Sequence, residues 1–404
     1  MKDKGFICTH VKKGCGYIQI QEENKSDNNV FFHMSQVIKP TWILNRIFHS
    51  VNLKGSYVLF DKKHNQEKNQ LQANSIIVHP KPGELIYKWS VFEDYSKTIS
   101  DLYEVALKED WDLFQAENKS FNILSNYFRY TFYRLAIEEK ILSQGRYAAF
   151  NTGLVDRRYI YIYALFEKNN VGATHDDPLP PWKFKSFCVE GEGDGKKILS
   201  QYFNPIPEVA QYFQNPADKI YDFLKEPSYD WDHIIVDGIR RGRYPMFFLE
   251  DNSPRSYQFP NIAQMTISDK LIFLEDFSEM VKNDDKLYRR FMIALEDAFK
   301  MTWNRLKWNW KTAIPQYYAP RDEISFLLPV SLSSGDDKEI VDISLVVAKT
   351  KVGTYQAHTV LPLAYAYSNA RLVCRPLSDW LDLNKIKDDT LIQETADDQD
   401  DISS

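Results

Sequence analysis

Two short segments near the start of the chain carry flat side chains at a spacing suited to stacking on nucleic-acid bases. The first segment contains Cys15 and Tyr17, and the second contains Phe31 and His33. Side chains alternate between the two faces of a β-strand, so residues two apart share a face. If the segments form neighbouring strands, these residues make one surface on which unpaired bases stack. The same rings could instead pack in a core or against a partner.

Basic residues concentrate in the same part of the chain. Residues 1–80 contain eleven Lys and Arg against six Asp and Glu, a balance of +5, whereas the whole chain has a net charge of −6 and the remainder therefore carries −11. Lys12 and Lys13 adjoin the first segment and are predicted to contact phosphates. This distribution favours nucleic-acid binding by the N-terminal region, although a short segment can also acquire such a balance by chance.

The two segments resemble the ribonucleoprotein motifs of cold-shock domains. Lys13-Gly14-Cys15-Gly16-Tyr17-Ile18 is similar to the first motif of that family, KGFGFI, and Val30-Phe31-Phe32-His33-Met34 is similar to the second, VFVHF. The resemblance covers about residues 5–79 and implies an OB-type five-stranded barrel that binds single-stranded RNA or single-stranded DNA. Cys15 and Met34 stand where the family has aromatic residues. The loss of these rings implies weaker binding or help from the rest of the chain.

A second set of polar residues lies at the ends of predicted strands and helices in the C-terminal part of the chain. Arginine side chains are suited to hold phosphate oxygens bidentately, and amides are suited to orient a reacting group. The predicted catalytic residues are Asn151, Thr152, Arg243, Gln316, Asn369 and Arg371, and the predicted phosphate-binding residues are Arg146, Arg240 and Arg241.

Several of these residues also have a purely structural interpretation. Asn151, which precedes Thr152-Gly153, could satisfy a hairpin turn with its side chain. The arginines at 240–243 could form a solvated basic turn. Arg371, on a predicted apolar helix, could form an ion pair with Asp342.

Metal ions and cofactors are not expected. The cysteines Cys8, Cys15, Cys188 and Cys374 lack metal-ligand spacing and form no disulfide framework. His233 and His358 could act as acid–base groups, but isolated histidines near strands are more often packed side chains, and we interpret them so. No nucleophile triad can be assembled from local spacing.

Further motifs resemble an uncharacterised bacterial domain that occurs beside cold-shock and LOTUS-type RNA-binding modules. The matching segments are Phe150-Asn151-Thr152-Gly153-Leu154, Ile314-Pro315-Gln316-Tyr317-Tyr318, Leu327-Leu328-Pro329, Asp342-Ile343-Ser344-Leu345-Val346-Val347, Ala364–Leu372 and Trp380-Leu381. The resemblance covers about residues 95–383 and implies an association with RNA without assigning a chemistry.

The pattern of apolar residues predicts a multidomain chain, in which a small all-β barrel is followed by a larger α+β domain. We predict a barrel over 1–80, a linker over 81–94, an α+β domain over 95–383 and an acidic disordered tail over 384–404. In the second domain, the pattern predicts a hairpin formed by Tyr147–Leu154 and Tyr159–Phe166, and a helix over Leu124–Leu142. Residues 388–404 contain seven acids and no Lys or Arg, which is typical of disorder.

The hydropathy of the chain predicts a cytoplasmic protein that does not enter a membrane. No apolar run approaches the ~20 residues that span a bilayer. Residues 1–5 lack an apolar signal region.

Three functions remain open at this stage. The chain could be an RNA-processing enzyme, a metal-independent hydrolase of RNA phosphoesters or nucleotides. It could be a non-catalytic regulatory protein whose second domain recognises a nucleotide, an RNA end or a protein partner. It could also be a scaffold in which only the barrel contacts nucleic acid. The sequence does not indicate an oligomeric state.

Overall fold

A computed structural model describes most of the chain at the level of individual residues. The described residues are 3–9, 15–20, 29–38, 53–65, 70–79, 82–112, 121–169, 180–333, 340–350, 352–383 and 386. Lys12, Lys13 and all of the predicted acidic tail except residue 386 lie outside these ranges.

The N-terminal part is a closed five-stranded barrel with strand order β1-β2-β3-β5-β4. Antiparallel pairing joins β1 to β2 and β4, β2 to β3, and β4 to β5, while β3 and β5 close the barrel in parallel. The strands are β1 (Asp3–Ile7), β2 (Cys15–Ile20), β3 (Asn29–His33), β4 (Tyr57–Asn65) and β5 (Gln70–His79). The predicted barrel is confirmed.

The barrel core consists of alternate residues of its strands, as the pleat requires. Ile18, Val30 and Phe32 are fully buried there, together with residues of the other strands. Gly16 permits this packing, because a Cβ at that position would lie 2.7 Å from the Phe32 ring. The intervening side chains of β2 and β3 consequently face outward.

The second domain begins with a five-stranded sheet of order β6-β10-β9-β8-β7. Its strands are β6 (Ser90–Val91), β7 (Leu142–Gln144), β8 (Tyr147–Val155), β9 (Tyr161–Lys168) and β10 (Trp182–Val189). Three helices accompany it, α1 (Pro82–Trp89), α2 (Tyr95–Val105) and α3 (Asn122–Ile137). Aromatic side chains fill the space between α1, α3 and the sheet, where the rings of Trp89 and Phe166 lie 4.7 Å apart.

A second five-stranded sheet has the order β11-β15-β14-β13-β12. Its strands are β11 (Ser228–Tyr229), β12 (Ile314–Tyr318), β13 (Glu323–Val330), β14 (Ile343–Lys349) and β15 (Tyr355–Pro362). The longer helices of this part are α4 (Met246–Asn252), α5 (Ile267–Asn283), α6 (Asp285–Trp308) and α7 (Leu363–Val373). α6 packs on one face of the sheet, whereas α7 packs on β12 and also contacts α3.

Short helical turns connect these elements. π-helical segments at Gly195–Leu199 and His233–Asp237 each continue into one α-helical turn, Ser200–Tyr202 and Gly238–Arg240. 3-10 turns occur at Met34–Gln36, Pro216–Lys219, Ile262–Gln264, Trp310–Thr312 and Ala319–Arg321.

The structure differs from the predicted linker at residues 81–94. Residues 82–94 are described, and Pro82–Trp89 forms α1, whose Leu85, Ile86 and Trp89 are buried in the second domain. Burial of this apolar face stabilises a helix where Pro and Gly indicated a break, because Pro is well tolerated in the first turn of a helix. The second domain therefore begins by residue 82.

Candidate functional site

The outer face of β2 and β3 brings three predicted nucleic-acid-binding residues together, with Cys15 beside them. Tyr17 lies directly opposite Phe31, and Cys15 lies opposite His33. The ring centroids of Tyr17 and Phe31 are 5.8 Å apart at an interplanar angle of 74°. Tyr17 is 40% exposed, and Phe31 and His33 are partly exposed. We call Tyr17, Phe31 and His33 the ring face.

Hydrogen bonds hold two members of the ring face in place. The Tyr17 backbone N–H donates to Thr9 Oγ1 at 2.9 Å. His33 Nδ1 accepts the Ser35 backbone N–H at 3.2 Å and lies 2.7 Å from Ser35 Oγ. In the neutral ring, this assigns the proton to Nε2. The imidazole is therefore fixed at the end of β3 and does not swing freely.

A cavity of about 90 Å³ lies in the second domain, against the face of the second sheet on which α7 packs. It takes side chains from β12, β13, β14, β15, α7, the π-helical segment His233–Asp237, the turn after that segment and the turn before β13. Its lining residues are His233, Arg241, Arg243, Gln316, Tyr318, Arg321, Glu323, Ser325, Val346, Ala348, His358, Thr359, Leu361 and Asn369. Three arginines face one glutamate, so the cavity favours an anion.

Arg243 enters the cavity from the turn that follows the π-helical segment. Gly242, at φ 63°, makes that turn, and the Arg243 backbone N–H donates to Gly238 O at 3.0 Å. The buried guanidinium donates to Thr359 Oγ1 and, at 3.2 Å, to Val360 O. Its side chain is thereby aligned with the middle of β15.

His358 enters the cavity because of a β-bulge. Val346 pairs with Thr359 whereas Val347 pairs with Ala357, so His358 is an extra residue in β15. Such a bulge turns a side chain to the other face of the sheet. Burial, the largest cause, lowers the pKa of His358, as do Arg321 and His233, while Glu323 acts in the opposite direction. His358 is therefore neutral near pH 7.

His233 lies at the start of the π-helical segment and is held by two acidic residues. Its Nδ1 contacts the Asp237 carboxylate, and its backbone N–H donates to Asp230 Oδ1 at 3.2 Å. Burial raises the pKa of Asp237, but the hydrogen bond from His233 and the nearby positive charges outweigh burial and lower it. The ionised Asp237 carboxylate therefore orients the His233 imidazole.

Two amide side chains in the cavity have unused hydrogen-bonding capacity. Gln316 Nε2 donates to Ser325 Oγ at 2.9 Å, while the buried Oε1 has no partner among the described residues. The Asn369 carboxamide, 7% exposed, likewise makes no side-chain hydrogen bond within the described part of the chain. A buried acceptor left unpaired is costly, which suits a ligand that donates an N–H or O–H.

The structure does not bring the other predicted catalytic residues to this cavity. Asn151 Oδ1 accepts the Gly153 backbone N–H at 2.9 Å, and its Nδ2 donates to Pro207 O at 3.4 Å. Thr152 Oγ1 donates to Ile162 O at 2.8 Å. These contacts stabilise an irregularity in β8, as the turn interpretation of the sequence requires.

Arg371 is buried in a structural ion pair. Its guanidinium contacts both carboxylate oxygens of Glu109 and lies 4.4 Å and 4.8 Å from the ring centroids of Trp111 and Tyr127. The partner is therefore Glu109. Asp342, which the sequence suggested, instead accepts the Leu332 backbone N–H at 2.6 Å.

The predicted phosphate-binding arginines separate into three environments. Arg241 lines the cavity. Arg240 forms ion pairs with Glu275 and Glu279, each at 2.9 Å, and with Asp237 at 3.1 Å. Arg146 is largely exposed and lies 3.6 Å from Glu167. Only Arg241 of the three is in a position to act with Arg243.

Tyr57 of β4, in the barrel, lies near enough to the cavity for two cavity residues to affect the pKa of its hydroxyl. Tyr57 is 3% exposed, and burial followed by the charge of Glu323 raises its pKa to about 12. Arg321, another residue of the cavity, acts on the same hydroxyl. The barrel therefore lies within electrostatic range of the rim of the cavity.

His233 and His358 are the cavity residues that the sequence interpretation set aside. Each is an isolated histidine in the sequence, and their convergence depends on a bulge and on long-range packing. The spacing of His233 and Asp237, four residues apart, was the one local sign of an oriented imidazole.

Over the ranges that the structure describes, no group of His, Cys, Asp and Glu could hold a metal ion. Within those same ranges, no helix has both the length and the apolar character needed to cross a bilayer.

Comparison with known families identifies the second domain. The family described as Domain of unknown function (DUF3825) matches residues 102–380. This confirms the resemblance of the C-terminal motifs to an uncharacterised domain. No curated protein and no solved structure matches the chain.

Proposed function

We propose that this chain, which belongs to the family described as Domain of unknown function (DUF3825), binds single-stranded RNA or DNA on its barrel and receives a phosphate group in its second domain. The ring face is the observation that carries the proposal. Two aromatic rings and an imidazole stand side by side on the outer surface of β2 and β3, above a core that other residues fill. They are available for a ligand because the barrel does not need them for packing.

Stacking gives such a surface its preference for single strands. Every base has a π-face, so exposed rings bind unpaired bases with little regard to sequence, at about 1–3 kcal/mol per base. A duplex hides those faces. The resemblance of both motifs to those of cold-shock domains supports the same ligand.

The cavity supports the second half of the proposal. Its volume of about 90 Å³, roughly that of three water molecules, is room for one phosphate group. Arg241, Arg243 and Arg321 supply the positive charge that such a group requires. The ligand is accordingly a phosphate-bearing polymer, a nucleotide or an RNA end whose remaining atoms lie outside the cavity.

The barrel is tested by measuring the affinity of the full chain for a labelled single-stranded oligonucleotide, as RNA and as DNA, by fluorescence anisotropy. The variant carries Phe31→Ala and His33→Ala. Loss of two stacking partners at about 1–3 kcal/mol each is expected to weaken binding by at least tenfold. Trp308→Ala is the matched control, because Trp308 is an aromatic residue 87% exposed outside the barrel.

Wild-type affinity in the double variant, with an unchanged thermal unfolding curve, would refute stacking on the ring face. Equal loss of affinity in the Trp308→Ala control would show that the effect is not specific to the barrel. Duplex RNA bound as tightly as single strands would also contradict the proposal.

A further inference from the structure

We propose that His358 and His233 act as the general base and the general acid of a metal-independent RNA cleavage reaction in the second-domain cavity. The reaction is attack of a ribose 2′-hydroxyl on the adjacent phosphodiester. The inference rests on the proposed function, since it takes the phosphate in the cavity to belong to RNA. It adds a reaction, a product and two catalytic residues.

The cavity places two imidazoles of different character in one small space. His233 comes from the π-helical segment and His358 from the bulge in β15, and both line the same volume of about 90 Å³. The two rings are close enough for the charge of His233 to act on the pKa of His358. An acid and a base that flank one phosphate are the requirement for an in-line displacement at phosphorus.

The surroundings of His358 and His233 assign the role of base to the first and the role of acid to the second. His358 is largely buried and neutral, so it can accept a proton. His233 contacts the Asp237 carboxylate through Nδ1, an arrangement that orients an imidazole for proton transfer, and it is assigned the acid role on this geometry. Pairs of titratable groups whose environments differ in this way indicate an acid–base assignment.

The other polar groups of the cavity suit the same reaction. Arg243 lies beside His358 through its hydrogen bond to Thr359, where a guanidinium stabilises the charge of a five-coordinate phosphorus. The unpaired Gln316 Oε1 accepts an N–H or O–H from the nucleotide next to the scissile bond. Arg243 and Gln316 were chosen from sequence, and the structure places them with the two histidines.

The reaction needs no further reagent. His358 takes the proton of the 2′-hydroxyl, the 2′-oxygen forms a bond to phosphorus, the bond from phosphorus to the 5′-oxygen breaks, and His233 gives its proton to that oxygen. The products are a 2′,3′-cyclic phosphate and a 5′-hydroxyl. Proton exchange with water restores both imidazoles.

The substrate provides the first test, and it does not depend on any variant folding. The full chain is incubated, in excess chelator, with an oligonucleotide that contains one ribonucleotide among deoxyribonucleotides, and with the all-deoxy oligonucleotide. Cleavage only at the ribonucleotide, with a cyclic phosphate identified by mass spectrometry, is the expected result. Binding without cleavage, or cleavage of the all-deoxy strand, would overturn the proposal.

Glutamine substitutions test the catalytic roles of the two histidines. His358→Gln and His233→Gln are each expected to lower the cleavage rate by about 10²–10⁴-fold, the range for loss of a general acid or base, with single-strand affinity unchanged. His64→Gln, an exposed histidine on β4 purified identically, controls for contaminating nucleases. Equal rates in all three variants would exclude the two histidines.

Asp237 is a positioning residue, and its role is tested by comparing kcat with affinity and by rescue with a second carboxylate. The charged groups around the two imidazoles and Asp237 are Asp230, Asp237, Arg240, Arg241, Arg243, Arg321 and Glu323. Asp237→Asn keeps a side chain that can hydrogen-bond to His233 but removes the carboxylate, so kcat should fall while single-strand affinity stays unchanged, and Asp237→Glu should restore part of the rate. A loss of thermal stability with no recovery of the rate in Asp237→Glu would indicate a structural role only and would overturn this assignment of Asp237.

The two proposals fail separately. Loss of binding in the Phe31 and His33 variant concerns the barrel, whereas loss of cleavage at retained affinity in the histidine variants concerns the cavity. If the barrel variant binds single strands with wild-type affinity and still cleaves RNA, the ring-face proposal is refuted and the cavity proposal is retained.

Discussion

Replacing Glu109 with Gln tests whether Arg371 is structural, as the packing indicates, or binds a ligand. Their side chains are 9% and 8% exposed, and both guanidinium nitrogens that face Glu109 are engaged. Burial lowers the pKa of Arg371, but the neighbouring Tyr127 and Glu109 raise it above its usual value. The guanidinium therefore stays charged when Glu109 is neutralised.

Removal of one partner from a buried ion pair costs about 3–5 kcal/mol. The rings of Trp111 and Tyr127 continue to stabilise the cation, which places the expected loss near the lower end, at about 3 kcal/mol. For a domain of this size, such a loss lowers the melting temperature by about 6 °C or more. The assay is urea unfolding of the full chain, followed by a probe of the second domain.

Glu104→Gln is the matched control. Glu104, at the exposed C-terminal end of α2, pairs at 3.0 Å with Lys108, which follows the helix, and such an exposed ion pair contributes about 0–1 kcal/mol. The combined change Glu109→Leu and Arg371→Leu should recover most of the lost stability, because it removes both charges. Equal effects of Glu109→Gln and Glu104→Gln, or no recovery in the double variant, would refute the reasoning.

Three further outcomes are expected. Gly153→Ala should destabilise the second domain by about 1–3 kcal/mol in urea unfolding, because φ is 74° and its Cβ would lie 2.6 Å from Tyr127 Oη; a neutral result would contradict the described turn. Gly16→Ala should cost the barrel about 1–3 kcal/mol by overpacking Phe32 and should weaken single-strand binding, and an unchanged affinity and melting curve would disprove it. The pKa of His358 is lowered in the folded state, so below pH ~6.5 the unfolded chain binds a proton that the folded chain does not, and stability falls as the pH decreases. His358→Gln should remove this part of the decline in melting temperature, and parallel pH profiles of wild type and variant would rule it out.

Local periodicity made much of the fold predictable. The alternation of β2 and β3 and the hairpin of β8 and β9 follow from side chains that alternate between two faces. The opposition of Tyr17 and Phe31 follows from the same rule once the two strands are neighbours. α1 was missed because its Pro and Gly indicate a break, while its burial depends on distant residues.

The sequence by itself determined the barrel, the outward ring face and the elements other than α1 discussed above, since these depend on residues a few positions apart. The tertiary structure alone decided which polar groups meet. It paired Arg371 with a carboxylate 262 positions away, kept Arg243, Gln316 and Asn369 together, and added His233 and His358. A β-bulge positions His358 and a π-helical segment positions His233. The bulge and the segment both arise from sheet register and from packing between elements. Spacing along the chain carries no signal for such contacts, because they form only when the whole domain folds.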